Sequence, residues 1–187
     1  MDKNNVFVVK GGAPWYSTHW EDKYHVISRD KRTRGQAIIT CDNRVKSAQA
    51  MFGVCRNLTS IDLSGFDTSK VIDMSNMFMG CNELTELNLS GIDTSKVLDM
   101  RWMFNECYKL TTLDLSSFDT SKVRAMHGMF WGCDSLTTIK GVIDMKSCTS
   151  CWLMFKDCFE LRGVKIKNPP ADFHDAGLRP IQYDIVS

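Results

Sequence analysis

The stretch FDTSKVIDMSNMFMGCNEL, residues 66–84, occurs three times in this chain with small changes. Residues 92–110 read IDTSKVLDMRWMFNECYKL, and residues 118–136 read FDTSKVRAMHGMFWGCDSL. The cysteines Cys55, Cys81, Cys107 and Cys133 lie 26 residues apart, and Cys158 follows after 25. A fixed period of this length predicts a repeat protein in which successive copies stack on each other.

Within one copy the hydrophobic spacing changes from that of a strand to that of a helix. Ile61 and Leu63 alternate with polar residues, which predicts a half-buried strand. The next apolar residues are spaced like one face of a short helix, and an Asp-Thr-Ser turn precedes them. This helical face is formed by Val71, Met74, Met77, Phe78 and Cys81.

One such unit cannot bury its apolar face alone, so the copies must share a core. The predicted fold class is therefore an α/β repeat, with a parallel sheet on one side and short helices on the other. The predicted domains are an N-terminal cap (1–36), the repeats (37–167) and a C-terminal cap or tail (168–187). The repeat units are placed at about 58–83, 84–109, 110–135 and 136–160, with partial units on either side. Trp15, Trp20 and Tyr24 are expected to cover the N-terminal end.

The segment LTSIDLSGFDTSKVIDMSNMFMGC, residues 58–81, resembles the BspA-type leucine-rich repeat of bacterial surface proteins and mycoplasma lipoproteins. The similarity covers about residues 37–167 and recurs in several copies. It implies a right-handed leucine-rich-repeat solenoid, capped at both ends, that binds other macromolecules and carries no catalysis of its own.

The repeated cysteines are interpreted as small hydrophobic packing residues, because they lie on the apolar face of every copy. Cys148 and Cys151 form a C-x-x-C pair, which in other proteins binds zinc or carries redox chemistry. In register with the preceding copy they replace Val123 and Met126, so both are predicted core positions. Cys41 remains unassigned.

The repeated aspartates ahead of each helical face are predicted to accept backbone amides in their own turns rather than to bind calcium. They are Asp67, Asp93, Asp119 and Asp144. No metal ligand set, cofactor motif or catalytic residue is predicted, so the chain is expected not to be an enzyme. The net charge of +1 argues against a nucleic-acid partner.

A binding surface is expected where the copies differ from one another. Aromatic and basic side chains interrupt the polar positions of the later copies, and Trp, Tyr and Arg are the residue types enriched at interface hot spots. The predicted partner-binding residues are Trp102, Trp131, Trp152, Tyr108, Phe159, Arg101, Arg124 and His127.

The expected function is a non-enzymatic module that presents a rigid surface to a protein partner. Two settings fit: surface adhesion, as the family resemblance implies, or intracellular inhibition of a host enzyme by a protein encoded by a phage or mobile element. The chain shows no signal peptide and no membrane span, which favours the cytoplasm. The alternatives are a carbohydrate-binding repeat protein and a zinc or redox protein that uses Cys148 and Cys151.

Overall fold

The computed structural model describes residues 5–12, 26–33, 36–41, 45–171, 173 and 183–186, which form a β-rich repeat fold of short strands. Trp15, Trp20 and Tyr24 lie outside the described residues. In chain order the strands are β1 (Asn5–Gly12), β2 (Val26–Thr33), β3 (Gln36–Cys41), β4 (Asn57–Asp62), β5 (Glu86–Asn88), β6 (Thr112–Asp114), β7 (Thr138–Lys140), β8 (Val142–Asp144), β9 (Val164–Lys167) and β10 (Tyr183–Ile185).

The strands of the repeats pair in parallel, as a stack of equivalent units requires. Pairs β4–β5, β6–β7 and β8–β9 are all parallel, and β10 adds a further parallel strand beside β9. The N-terminal strands behave differently, because β1 lies antiparallel between β3 and β4. The N-terminal strands therefore continue the sheet beyond the first repeat strand.

A single hydrophobic core runs between the strands and a second row of backbone pairing. The leucines of the strands meet the Met-Phe pairs and the cysteines within it. The phenylalanines of neighbouring copies stack face to face, with ring centroids 5.4–5.6 Å apart. The predicted core columns are all buried: Leu58, Leu84, Leu110, Leu136 and Leu161; Phe52, Phe78, Phe104, Phe130 and Phe155; Cys55, Cys81, Cys107, Cys133 and Cys158.

The predicted short helices are wrong for the described residues, which contain no helix. The segments in question, here called the Met-Phe turns, are 48–55, 74–81, 100–107, 126–133 and 151–158. In the second of them the amides of Met74, Asn76, Phe78 and Gly80 donate to carbonyls of the next copy at 2.7–2.9 Å. Between them, the amides of Met77 and Met79 donate to carbonyls three residues back, and the amide of Ser75 donates to Asp73 Oδ1. A helix would instead send each amide to the carbonyl four residues earlier.

Two residues of every Met-Phe turn have positive φ, which explains this departure from a helix. The third position holds Ala50, Asn76, Trp102, Gly128 and Leu153, with φ between 55° and 61°. The seventh position holds Val54, Gly80, Glu106, Gly132 and Asp157, with φ between 58° and 73°. Each left-handed residue redirects the chain, so that alternate amides point toward the next copy.

The 25-residue spacing of the last copy arises from a shortened turn between β7 and β8. Gly141 occupies this turn with a φ of 99°. A Cβ atom at this position would lie 2.8 Å from the backbone of Leu115, so only glycine fits. Beyond Gly141 the register resumes, because the amide of Asp144 bonds Thr120 Oγ1 as its counterparts do in earlier copies.

Candidate functional site

The Met-Phe turns of the later copies bring four aromatic side chains together, and we call them the aromatic cluster: Trp102, His127, Trp131 and Trp152. His127 and Trp152 hold the same turn position in successive copies, and their rings stack 4.5 Å apart at an interplanar angle of 5°. His127 Nδ1 also lies 2.8 Å from Ser150 Oγ. The imidazole is therefore fixed on one ring face and at one nitrogen.

Trp102 reaches forward across the next copy because Gly128 leaves room for its ring. A Cβ atom on Gly128 would lie 2.2 Å from two carbons of the indole. From this place the indole contacts the rings of Trp131 at 5.2 Å, His127 at 5.5 Å and Trp152 at 5.9 Å. One side chain thus links turns of three successive copies.

Trp131 is held from two sides by the last repeat. Its indole Nε1 donates to Asp157 Oδ2 at 2.9 Å, and Lys156 Nζ lies 4.3 Å from the ring centroid, within the range of a cation–π interaction. Trp102 approaches the same indole at an interplanar angle of 36°. These contacts fix the orientation of the indole.

Arg101 lies beside the aromatic cluster and is paired with Asp99. Its Nε donates to Asp99 Oδ2 at 2.7 Å, and the hydrogen bond raises the pKa of the guanidinium. Partial burial, and then the nearby Arg101 charge, lower the pKa of His127, while Asp99 acts in the opposite direction. The lowered pKa favours the neutral imidazole.

The structure brings together only part of the predicted binding set. Trp102, His127, Trp131 and Trp152 are in mutual contact, with Arg101 alongside. Tyr108, Phe159 and Arg124 are exposed on the same copies but lie outside the aromatic cluster. The sequence reasoning missed the supporting residues, although the change from Trp102 to a glycine one copy later was a usable signal. The supporting residues are Gly128, Ser150, Lys156 and Asp157.

The exposed apolar side chains of the described residues concentrate around the Met-Phe turns, on what we call the turn side. Trp152 is 51% exposed and Phe159 is 48% exposed. The outward positions of the repeat strands β4–β7, which we call the strand side, carry small polar and charged residues. Of the exposed large apolar residues, Val54, Ile72, Leu98, Tyr108, Trp152 and Phe159 lie in or next to the turns, whereas Val142 and Ile185 do not.

The buried cysteines fill space in the core, as predicted, and also contribute a weak hydrogen bond. From the second copy onward each thiol donates to the carbonyl of a phenylalanine in the preceding copy, at 3.0–3.3 Å. Burial raises the pKa of Cys107 and Cys133, so these thiols stay protonated and unreactive. The column is structural.

The aspartates of the column accept backbone amides in their own turns, as predicted. Asp67, Asp93 and Asp119 each accept the amide two residues ahead at 2.9–3.0 Å, and Asp144 accepts the amide of Lys146. Hydrogen bonds from the hydroxyl and the amide of Ser69, Ser95 and Ser121 lower the pKa of the first three carboxyls. Within the described residues, no three His, Cys, Asp or Glu side chains converge to form a metal site.

The described part of the chain has no helix that could cross a lipid bilayer.

No curated protein and no solved structure matches the chain. One family model does match, and it covers residues 46–167, from the first Met-Phe turn to the end of β9. Its description reads "Mycoplasma protein of unknown function, DUF285". Since this match spans well over half of the 187 residues, the chain belongs to the DUF285 family.

Proposed function

We propose that this protein is a non-enzymatic module that binds a protein partner through the aromatic cluster. The observation that carries the proposal is the exposure of Trp152: the indole is 51% exposed although it stacks on His127 and meets Trp102. A large, immobilised and exposed aromatic group loses little side-chain entropy on binding. Tryptophan is also among the residue types that dominate hot spots.

The rest of the turn side suits a contact area around that centre. Leu98, Tyr108 and Phe159 supply exposed apolar surface, and Arg124 supplies an exposed charge. The strand side has fewer exposed apolar groups in the described copies, so we place the interface on the turn side. The proposed interface is therefore on the turn side and not on the strand side.

A rigid scaffold supports this proposal, and we infer that the copies stack as a right-handed solenoid. Four amide-to-carbonyl bonds join each pair of neighbouring Met-Phe turns, at 2.6–3.1 Å. The stacked phenylalanines and the paired strands hold the other parts of the copies. A surface fixed in this way is pre-organised, which reduces the ordering cost of binding.

A non-catalytic role also fits the environment of His127. Ser150 and His127 have the residue types of a nucleophile and its base, at 2.8 Å. In a working triad a third group orients the base through its other nitrogen. Among the described residues, no hydrogen bond to His127 Nε2 is found, and the imidazole instead stacks on Trp152.

The setting of the interaction is either adhesion at a cell surface or inhibition of an intracellular enzyme. The aromatic cluster would serve both. Carbohydrate binding is a different use of the same indoles, because sugar rings also stack on exposed tryptophan. The experiment below separates these cases by the nature of the ligand.

The test is affinity capture from the source cells with four baits: wild type, Trp152→Ala, the Trp102→Ala/Trp131→Ala double variant and Val142→Ala. Val142 is the control, since it is an exposed apolar residue that lies away from the Met-Phe turns. We expect one protein to be captured by wild type and Val142→Ala and lost by the other two baits. Equal capture by all four folded baits would contradict the proposal. A glycan bound on an array with the same variant pattern would assign the cluster to carbohydrate.

A further inference from the structure

Cys148 and Cys151 are the one C-x-x-C pair in the sequence, and Cys151 directly precedes Trp152 of the aromatic cluster. The bridge between Ala125 and Ser150 aligns them with Val123 and Met126 of the preceding copy. Both positions face the core, so the two cysteines lie on the same side of the chain. Cys148 is 8% exposed and Cys151 is half-buried and packs against the core.

Burial raises the pKa of the Cys148 thiol. Hydrogen bonds with the Ser150 backbone and with the Cys151 side chain partly offset this effect. Both residues are in the thiol form. The cysteines of the repeated column are also buried thiols, but each of the last four points to a phenylalanine carbonyl. Cys148 and Cys151 differ from them in two ways. They lie in the same copy, and Cys151 is partly accessible to solvent.

The residues between and after the pair hold the aromatic cluster in place. Ser150 bonds His127 at 2.8 Å, and Trp152 stacks on the same imidazole at 4.5 Å. The amides of Thr149 and Ser150 both donate to the carbonyl of Arg124, at 2.9 and 3.2 Å. A change in the path of 148–151 would move the supports of His127.

We propose that Cys148 and Cys151 form a redox-active dithiol that small-molecule disulfides oxidise, and that closing the bond rearranges the aromatic cluster through Ser150 and Trp152. The consequence for binding rests on the function proposed above. The oxidation and the rearrangement do not depend on it. A covalent bond between residues three apart draws their backbones together and is incompatible with the van der Waals separation of two thiols.

The chemistry is thiol–disulfide exchange with a compound such as oxidised glutathione. The thiolate of the more accessible Cys151 attacks one sulfur and releases one glutathione thiolate, which takes up a proton. Cys148, after losing its own proton, then attacks Cys151 Sγ and releases the second glutathione. Two protein thiols and one glutathione disulfide become one protein disulfide and two glutathione thiols. The protein is oxidised and glutathione is reduced.

The experiment compares the full-length protein with Cys148→Val/Cys151→Met, which restores the residue types that the preceding copy has at these positions. Both proteins are incubated with oxidised glutathione at mildly alkaline pH, where a larger fraction of the thiols is ionised. Intact mass and mapping of the peptide that contains 148–151 report the bond. Tryptophan fluorescence and near-UV circular dichroism report the aromatic cluster.

We expect wild type to lose two hydrogen atoms, with the bond mapped to Cys148 and Cys151, and to change its tryptophan spectra until dithiothreitol reverses both. The double variant should do neither. Unchanged mass in wild type, a stable glutathione adduct on Cys151, or a bond mapped elsewhere would each overturn the proposal. A mapped disulfide with unchanged spectra would overturn the coupling to the aromatic cluster. None of these readouts measures partner capture. The experiment therefore tests the redox proposal even if the proposed binding function is wrong.

Discussion

Cys107 donates its thiol hydrogen to the backbone carbonyl of Phe78 at 3.3 Å, across the boundary between two copies. That carbonyl already accepts the amide of Cys81 at 3.1 Å. The thiol therefore adds a second bond to a carbonyl inside the core, beside the stacked rings of Phe78 and Phe104. A residue that the sequence marks only as small and apolar also helps to join the copies.

Cys107→Ala should destabilise the protein by about 1–2 kcal/mol, because it leaves a small cavity and removes this hydrogen bond. Cys55→Ala is the matched control, since the Cys55 thiol meets the Cys81 side chain and, at 4.0 Å, a carbonyl of its own turn, whereas the Cys107 thiol donates to a carbonyl of the preceding copy. Urea unfolding of both variants measures the difference. An equal loss in the two would show that the bond across copies contributes nothing beyond packing.

Much of the core could be predicted from the sequence, because the 26-residue period fixes which residues are equivalent. The leucine, Met-Phe and cysteine columns are apolar in every copy, and a stack of equal units has to bury equal positions. The role of the aspartates followed for a similar reason. Asp followed two residues later by Ser is typical of a turn closed by the aspartate side chain.

The helices were wrongly predicted because apolar spacing does not identify the hydrogen-bond partner of an amide. Met74, Met77, Phe78 and Cys81 would lie on one face of a helix, and they also lie on one face of the observed turn. Glycine at Gly80, Gly128 and Gly132 indicated positive φ, but Trp102 and Leu153 adopt it as well. The contacts within the aromatic cluster depend on side-chain rotamers across three copies, which the sequence pattern does not specify.

Gly128→Ala should destabilise the protein by about 1–3 kcal/mol, because the new Cβ would collide with the Trp102 ring and the left-handed backbone disfavours alanine. In a Trp102→Ala background the collision is absent, so the same substitution should cost only about 1 kcal/mol from the backbone. A double-mutant cycle by urea unfolding measures the coupling. Strict additivity would mean that Trp102 does not rest on Gly128 in solution.

Trp102→Ala and Trp131→Ala should each leave a cooperatively folded protein. Both rings lie outside the buried core, and each lost aromatic contact is worth about 0.5–1.5 kcal/mol. We expect a moderate fall in Tm and an unchanged far-UV circular dichroism spectrum. Collapse of thermal stability in both variants would place the rings in the core and remove them from the proposed binding surface.

Thr94→Val should be more damaging than Thr94→Ser. The buried hydroxyl of Thr94 donates to the carbonyl of Asp119 at 3.0 Å and accepts the amide of the same residue at 2.7 Å. Valine keeps the volume but leaves two backbone groups without these bonds, which should cost about 2–4 kcal/mol. Serine keeps both bonds and loses a methyl group, for about 1 kcal/mol. Chemical denaturation measures the free energy of unfolding of the two variants. A smaller loss for Thr94→Val than for Thr94→Ser would contradict the prediction.

Replacing Asp67, Asp93 and Asp119 together by Asn should weaken the acid sensitivity of the fold. The hydroxyl and the amide of the serine two residues ahead lower the pKa of each carboxyl in the folded state below its ordinary value of 3.8. The unfolded chain therefore takes up protons first as the pH falls, and the stabilisation that is complete above about pH 4 is lost below it. Asparagine accepts the same bond without titrating, as Asn88 does from the amide of Ser90 at 3.1 Å.

The measurement is the free energy of unfolding as a function of pH between about 2 and 6, where these carboxyls change charge. Wild type should lose more stability than the triple variant over the acidic half of this range. If the unfolding free energies of wild type and the triple variant changed in parallel with pH, these three aspartates would not cause the acid sensitivity. Asp62 and Asp114, whose pKa values are also lowered, should leave part of the acid dependence in place.

The alternating amides of the Met-Phe turns have a consequence for how such a protein can change in length. Each interior copy donates to its successor and accepts from its predecessor in the same way, so this backbone pairing does not depend on the place of a copy in the row. Duplication of one coding unit would extend the pairing unchanged, and side-chain matches such as Trp102 on Gly128 would be the part that needs adjustment. Loss of a single codon is tolerated where a glycine such as Gly141 allows the turn to be one residue shorter. New binding surfaces can then arise by varying the few outward residues of an added copy, while the two ends stay as they were.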